Sequence, residues 1–496
     1  MKTEINRRSV LLGGAGVLAG CSTTGGSTTS SSTSLVGPSD PAVRRVESSR
    51  RGTGREQRVS LTAVAARQDL GAGLRAATWT FDGRTAGTPV RMRAGDTLVA
   101  AVSNRLPGGS STSIHWHGVA LRNDMDGVAG VTQAAVPSGG DFTYRFIAPD
   151  PGTYFFHPHV GVQLDRGLYA PLIVEDPKEP LAYGAEWVVL LDDWIDGVNG
   201  TPDDVFAEVR QGMAGSSTKY MLMGATSKLL GGDAGDVSYP YHLVNGGVAA
   251  DPDVFTAKPG ERVRLRMINA GSDTAYRVAL SGHRLTITHT DGFPVEPVQV
   301  DTVLIGMGER YDVLVTLGDG IFPLVALAEG KDQTGMALVR SGSGRRPATT
   351  FRPPELAGSV LQAGLMKAAE QVRLTQAQPD VTHQLKLTGG MDKYDWSVDG
   401  QRFDMENPTA SPLLIREGQR VRLDFVNETE MWHPMHLHGH TFQIGEAGPR
   451  KDTAIVLPRK TLSVVFDADN PGQWLLHCHN TYHGEAGMMA LVAYQA

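Results

Sequence analysis

Ten of the chain's 15 histidines fall in four short clusters, and that spacing constrains the fold more than any other feature. The clusters read His115-Trp-His117, His157-Pro-His159, His433-Pro-Met-His436-Leu-His438 and His477-Cys478-His479 followed by His483. Side chains alternate faces along a β-strand, so both histidines of a His-x-His step point the same way. Cys478 then points opposite to His477 and His479. One tripeptide can thus touch two metal sites on either side of a single strand.

The rest of the chain repeats one strand pattern. Gly95-Asp-Thr-Leu-Val-Ala-Ala-Val-Ser-Asn104 recurs as Gly260-Glu-Arg-Val-Arg-Leu-Arg-Met-Ile-Asn269 and as Gly418-Gln-Arg-Val-Arg-Leu-Asp-Phe-Val-Asn427. Each copy follows a turn glycine, alternates apolar residues at period 2 and ends at Asn, which reads as one strand of three related β-sandwich domains. A second repeat matches Pro151-Gly-Thr-Tyr-Phe-Phe-His157-Pro-His159 to Pro471-Gly-Gln-Trp-Leu-Leu-His477-Cys-His479, with Pro158 standing where Cys478 stands. In the middle copy Tyr276, Ala279 and Ser281 replace His433, His436 and His438, so that domain is a spacer or wall. At 496 residues, two to four domains are expected. With Gly 59 and Pro 28, turns are plentiful, and the class reads as all-β. Boundaries fall near 180 and within 341–375, giving domains at 56–180, 181–345 and 376–496. The intervening 346–375 is a linker, expected to carry a short helix at Leu361–Ala369.

A net charge of -7 gives no sign of a nucleic-acid surface. Residues 1–20 read as a twin-arginine signal: Arg7-Arg8 precede an apolar run, Val10 to Leu18, too short to span a bilayer. Leu18-Ala19-Gly20-Cys21 resembles a lipoprotein cleavage box, so Cys21 is expected to carry lipid and to be the chain's only tie to a membrane. Residues 21–55 follow as a Ser/Thr/Gly-rich tether. Cys478 is then the only thiol left, which rules out an intramolecular disulfide.

A lone thiol among histidines is more plausibly a metal ligand than a structural residue. Cys478, His483, His433 and Met488 together offer two imidazoles, a thiolate and a weak axial thioether, the blue-copper electron-transfer set. Structural zinc sites favour paired Cys-x-x-Cys spacings, which are absent. Eight further histidines divide evenly between the first and third domains: His115, His117, His157 and His159, then His436, His438, His477 and His479. They are too many for one metal and suit a cluster of ions at the interface of those domains.

On these four signatures the chain resembles the three-domain multicopper oxidases, the laccase-like family built of cupredoxin domains, from about residue 56 to the end. The resemblance implies four copper ions. A type 1 ion would be held by His433, Cys478, His483 and axial Met488, and a type 2 ion by His115 and His436. A type 3 pair would take His117, His157, His159, His438, His477 and His479. It implies that a reductant gives electrons singly at the type 1 site, that Cys478, His477 and His479 relay them, and that dioxygen becomes water. Asp126 sits where relatives keep a carboxylate for protons, although Asp126-Gly127 also reads as a turn. Several bacterial cuprous oxidases of the family carry Glu directly after the histidine that here is His483; this chain has Gly484, with Glu485 one place later.

Glu430 and Met431 precede His433 and are candidates to line a substrate pocket, where a thioether and carboxylate would suit Cu(I). Met213, Met221 and Met223 form a modest group in the middle domain. The similarity extends to actinobacterial copper-resistance oxidases and implies Cu(I) oxidation with phenol oxidation beside it. A laccase acting mainly on phenols or aromatic amines would share every ligand. An exported copper-binding or storage protein would share the ligands without turnover. A monomer is expected. His242, His283, His289 and His383 read as structural.

Overall fold

A computed structural model describes residues 34–213 and 218–496. Cys21 and the twin arginine lie outside the described residues. Apart from a two-stranded ribbon, the described strands form six sheets, of four and four, seven and six, and six and five strands. Each pair encloses its own apolar core, giving three cupredoxin-like sandwiches in chain order.

The three repeat copies occupy equivalent strands, Thr97–Arg105, Arg262–Asn269 and Arg420–Asn427. Each runs parallel to the first strand of its domain and antiparallel to a later one. The terminal Asn explains why the pattern ends as it does. Asn104 Nδ2 donates to the carbonyls of Ser110 and Val136, Asn269 Nδ2 to Thr274 and Ile305, and Asn427 Nδ2 to Met431 and Val456. In each domain one buried amide thus staples the loop leading into the next strand, which in the first and third domains carries histidines. An unpaired carbonyl at that depth would cost about 1–3 kcal/mol.

Two expectations need correction. The tether ends early, because residues from Leu35 onward are docked on the third domain. Val36 donates its N–H to the Tyr494 carbonyl (2.8 Å), and Pro41–Ser49 is a helix with Asp40 as N-cap and Pro at its start. Ala42 and Val43 enter the third-domain core; the Ser/Thr/Gly composition stops just before this amphipathic stretch. In the linker, Val360–Leu361 adds as a short strand beside Thr302–Ile305, and only 3₁₀ turns follow, at Ala363–Leu365 and Glu370–Val372. Strand pairing by two apolar residues outcompetes a helix interrupted by Gly364.

The histidine strands occupy two settings. His115–His117 is the edge of a first-domain sheet and pairs with Gly152–His157, His115 opposite His157. His433–Leu437 and Gln473–Cys478 lie side by side inside a third-domain sheet, Met435 opposite Cys478 and His436 opposite His477.

Candidate metal centre

Cys478, His433 and His483 meet in one buried group. The Cys478 Sγ lies 3.7 Å from His433 Nδ1 and 3.8 Å from His483 Nδ1, and the two nitrogens are 3.1 Å apart. His483 reaches the strand residues because the short helix Thr481–Ala486 starts immediately after the strand, with the Asn480 side chain accepting from the N–H groups of Tyr482 and His483. Both outer nitrogens are tied down: His433 Nε2 to Thr429 Oγ1 (2.8 Å) and His483 Nε2 to Asp236 Oδ2 (2.8 Å). With Nε2 held on the outside, both Nδ1 atoms face the thiol. Burial alone would lower the His483 pKa, but the Asp236 carboxylate outweighs it and lifts the value to about 10. Met488 is buried in the same core; its main chain binds Cys478 N–H through the carbonyl (3.0 Å) and the His483 carbonyl through the N–H (3.0 Å).

The other eight histidines converge between the first and third domains in three triads, the first two sharing His117. These are His115, His117 and His436; His117, His157 and His479; and His159, His438 and His477. His477 and His479 therefore enter two different triads while Cys478, between them, enters neither. The alternation expected of the strand is realised in space.

The electrostatics of this cluster fit metal cations. Four rings give Nδ1–H to main-chain carbonyls: His115 to Asp126 (3.0 Å), His157 to Pro158 (2.9 Å), His436 to Asp452 (2.9 Å) and His477 to Cys478 (3.0 Å). His438 Nδ1 is 2.9 Å from Asp126 Oδ2. Their Nε2 atoms thus carry lone pairs, yet His438 and His477 hold theirs 3.1 Å apart, and His115 and His436 theirs 3.4 Å apart. Facing lone pairs repel unless a cation lies between them. His157 Nε2, His117 Nδ1 and both nitrogens of His479 are buried without a protein partner. Burial and neighbouring imidazoles hold His117, His157, His159, His438 and His479 well below the ordinary histidine pKa and take His477 to about 3, so the rings are neutral donors near pH 7. Soft sulfur with two imidazoles at one site, and imidazoles alone at the other, is a donor set that suits copper.

Asp126 is fully buried and touches two cluster histidines, His438 as above and His115 Nδ1 at 3.2 Å from Oδ1. The turn reading holds beside it: Gly127 has φ +84°, and a Cβ there would lie 1.8 Å from the Ile114 carbonyl oxygen. Glu430 and Met431 are not brought together. Met431 is packed in the third-domain core, whereas Glu430 is 79% exposed and paired with Arg459. They diverge in the bend between the strands Arg420–Asn427 and His433–Leu437, which turns one side chain into the core and the other to solvent. Glu485 lines a small cavity with His159, His477 and His479, where burial raises its carboxyl to about 7. Met213 and Met223 are exposed, and Met221 is buried. His242 meets the Tyr276 hydroxyl (2.8 Å), His283 accepts from the Gly318 N–H (2.9 Å), and His440 meets the Tyr494 hydroxyl (2.7 Å).

Sequence reading missed the residues behind the ligands: Thr429, Asp236, Asp452 and Arg310. Asp236 and Arg310 come from the middle domain, and no motif marks them, because their partners lie 247 and 142 residues away.

The sequence pattern of the multicopper oxidases matches residues 64–179, 185–342 and 376–496. The chain is 46% identical to the multicopper oxidase MmcO of Mycobacterium tuberculosis, over 99% of this chain and 97% of that one. It is 31% identical to a copper resistance protein A homolog of Pseudomonas syringae pv. tomato, over 82% and 87%. Among solved structures, the laccase of Botrytis aclada superposes with a TM-score of 0.71 at 24% identity, over 90% of this chain and 88% of that one. The chain belongs to the multicopper oxidase family and is a copper-dependent oxidoreductase that uses dioxygen.

Proposed function

We propose that this oxidase takes its electrons from Cu(I), with small phenols as accompanying substrates, and so detoxifies copper outside the cytoplasm. In this reading His433, Cys478, His483 and Met488 would hold the type 1 ion, and His115 and His436 the type 2 ion. His117, His157 and His479 would hold one type 3 ion, and His159, His438 and His477 the other. When bound, copper supplies one-electron acceptance at the Cys478 site and the four-electron reduction of dioxygen to water at the histidine cluster. The chain supplies the rest. Cys478 joins the two sites through the main chain of its own neighbours, the shortest covalent connection available. Buried carbonyls fix the tautomers of the cluster histidines before metal arrives, which lowers the reorganisation needed on binding. Asp126, in contact with His115 and His438, is the group placed to pass protons to dioxygen. An Asp126→Asn variant with full copper and undiminished turnover would remove that role.

The observation that carries the Cu(I) reading is the closure of the type 1 site. His433 and His483 are both 0% exposed, and their outer nitrogens are occupied by Thr429 and Asp236. A phenol therefore finds no open imidazole edge to pack against. The thioethers of Met221, Met431 and Met435 share the surrounding core, and exposed Met213 and Met223 offer soft donors outside it. Relatives named copper resistance proteins support the same reading. The laccase alternative is separated by comparing dioxygen uptake with Cu(I) and with a methoxyphenol on fully loaded protein. A methoxyphenol preference of tenfold or more in kcat/KM would overturn our reading. A copper-loaded protein that consumes no dioxygen with any reductant would point instead to storage. Twin-arginine export and a lipid on Cys21 complete the proposal. Among the described residues no helix is long and apolar enough to cross a membrane. A Cys21→Ser variant that remained in the membrane fraction would refute the anchor.

A further inference from the structure

The middle domain supplies none of the clustered histidines, yet one of its arginines is buried directly behind them. Arg310, 0% exposed, begins the strand Arg310–Thr316 and reaches all three domains. Its Nε donates to the Thr153 carbonyl (3.0 Å) in the first domain, and its Nη1 to the Gly308 carbonyl (2.8 Å) in its own. In the third domain it grips Asp452 with two prongs, Nη1 to Oδ1 at 2.7 Å and Nη2 to Oδ2 at 2.5 Å. A planar fork of this kind fixes the plane of a carboxylate as well as its position. The Asp452 main-chain N–H is held in turn by Asp291 Oδ2 (3.2 Å).

Asp452 Oδ1, so oriented, lies 3.1 Å from His117 Nε2, with Thr453 Oγ1 also 3.1 Å from that nitrogen. The Thr453 hydroxyl gives its own hydrogen to Asp452 Oδ1 (2.9 Å), so it too can only accept from the ring. A carboxylate likewise only accepts. His117 must therefore donate from Nε2, and its lone pair sits on Nδ1, the buried atom without a protein partner. His115, His157, His436 and His477 obtain the opposite tautomer from main-chain carbonyls; His117 obtains its own from a side chain two domains away.

We propose that the Arg310–Asp452 pair is a positioning device for His117, setting Nδ1 rather than Nε2 toward the cluster, and that this is the middle domain's contribution to the metal centre. Gly118 carries the same imprint. With φ +83°, a Cβ on it would lie 2.3 Å from Arg310 Nη2 and 2.6 Å from Asp452 Oδ2. The glycine after the first His-x-His step is thus the opening through which the pair reaches His117.

The test uses the full chain, loaded with copper, as R310M, R310K and D452N. Copper per chain, blue absorbance per chain and the EPR-detectable fraction of copper are measured, together with the His117 ring orientation in copper-free crystals. Blue absorbance reports the Cys478 site and serves as an internal control, whereas a coupled copper pair is EPR-silent. The expected result is unchanged blue absorbance, loss of at least one copper per chain or a clear rise in the EPR-detectable fraction, and a reoriented or doubly populated His117 ring. R310K keeps the charge without the fork and should resemble R310M. D452N keeps the carboxylate's shape, so it remains informative if R310M fails to fold. Full copper with an unchanged EPR fraction in D452N overturns the proposal, as does blue absorbance falling in step with cluster copper in every variant that folds. The inference rests on His117 being a ligand, and H117A separates the two failures. If H117A keeps the silent pair, the ligand assignment is wrong. If only H117A loses it, the positioning role is wrong.

Discussion

The two metal centres solve the same problem with opposite wiring. At the Cys478 site the imidazoles turn Nδ1 inward, and side-chain oxygens, Thr429 Oγ1 and Asp236 Oδ2, hold the outer Nε2. In the cluster most rings turn Nε2 inward, and main-chain carbonyls hold the outer Nδ1. The difference follows from where the histidines sit. Cluster histidines on adjacent strands or in tight turns find a carbonyl within reach, whereas His433 and His483 face loops from which a side chain must reach in. A centre held by main chain resists point substitution; one held by side chains can be tuned by them.

The largest expected effect breaks the link between the two centres. Cys478→Ser removes the sulfur common to the colour and the electron path, so dioxygen uptake with any reductant should fall to background and the blue band vanish. The eight-histidine cluster should keep its copper, as measured by metal analysis. Loss of cluster copper as well would mean that the centres are not separable. Next in size is Gly118→Ala, which strikes the cluster alone. The Cβ overlaps Arg310 and Asp452 at a positive φ, so stability should drop by about 2–4 kcal/mol in chemical denaturation, with cluster copper lost before the blue band. A loss below about 0.5 kcal/mol would show that the pair yields without strain.

How much of this was legible in the sequence follows the same division. The Cys478 site was readable because its three strong donors lie on one strand, its neighbour and the helix that follows, all in the last domain. The eight histidines were readable because they keep register with an internal repeat: His157 and His159 in the first copy answer His477 and His479 in the third. What escaped was everything that depends on docking. Asp452 is one acid among many until Arg310 folds against it, and the middle domain looked empty because only its ligands, not its charges, were replaced. The Glu430–Met431 pocket failed for a local reason. The bend before His433 buries Met431 and turns Glu430 outward, and the exposed carboxylate found Arg459.

Acid and alkali should also part the two centres in the copper-free protein. Burial pushes down the folded pKa values of His117, His157, His159, His436, His438 and His479 and takes His477 to about 3, while in the unfolded chain these rings titrate near 6.5. The unfolded state therefore binds more protons below pH 6.5, and stability falls as pH falls, by roughly 1.4 kcal/mol per pH unit for each such ring. His483 has the opposite sign. Its folded value near 10 means that its contribution is complete below 6.5 and is lost as pH rises toward 10. Denaturant midpoints of the copper-free protein at about pH 5, 7 and 9 should show a steep acid limb from the cluster and a shallow alkaline limb from the Cys478 site. Asp236→Asn should flatten only the alkaline limb; a change in the acid limb would mean that the two centres share their titration.

The smallest effect isolates the tuning of one centre from the other. Asp236→Asn keeps an oxygen near His483 Nε2 but removes the negative charge that draws on its proton, so Nδ1 becomes a poorer electron donor to the bound ion. A poorer donor stabilises the oxidised metal less, and the type 1 reduction potential should rise, with copper affinity there lower by about tenfold, at the mild end for such outer partners. The same residue touches Tyr394, whose hydroxyl donates to Asp236 Oδ2 at 2.7 Å, so Tyr394→Phe provides a second, weaker change in the same direction of geometry without altering charge. If the potential moves in Asp236→Asn and not in Tyr394→Phe, charge sets the site; if both move it equally, orientation of the carboxylate does. In either case the EPR-silent pair must stay silent, because nothing in the cluster leans on Asp236.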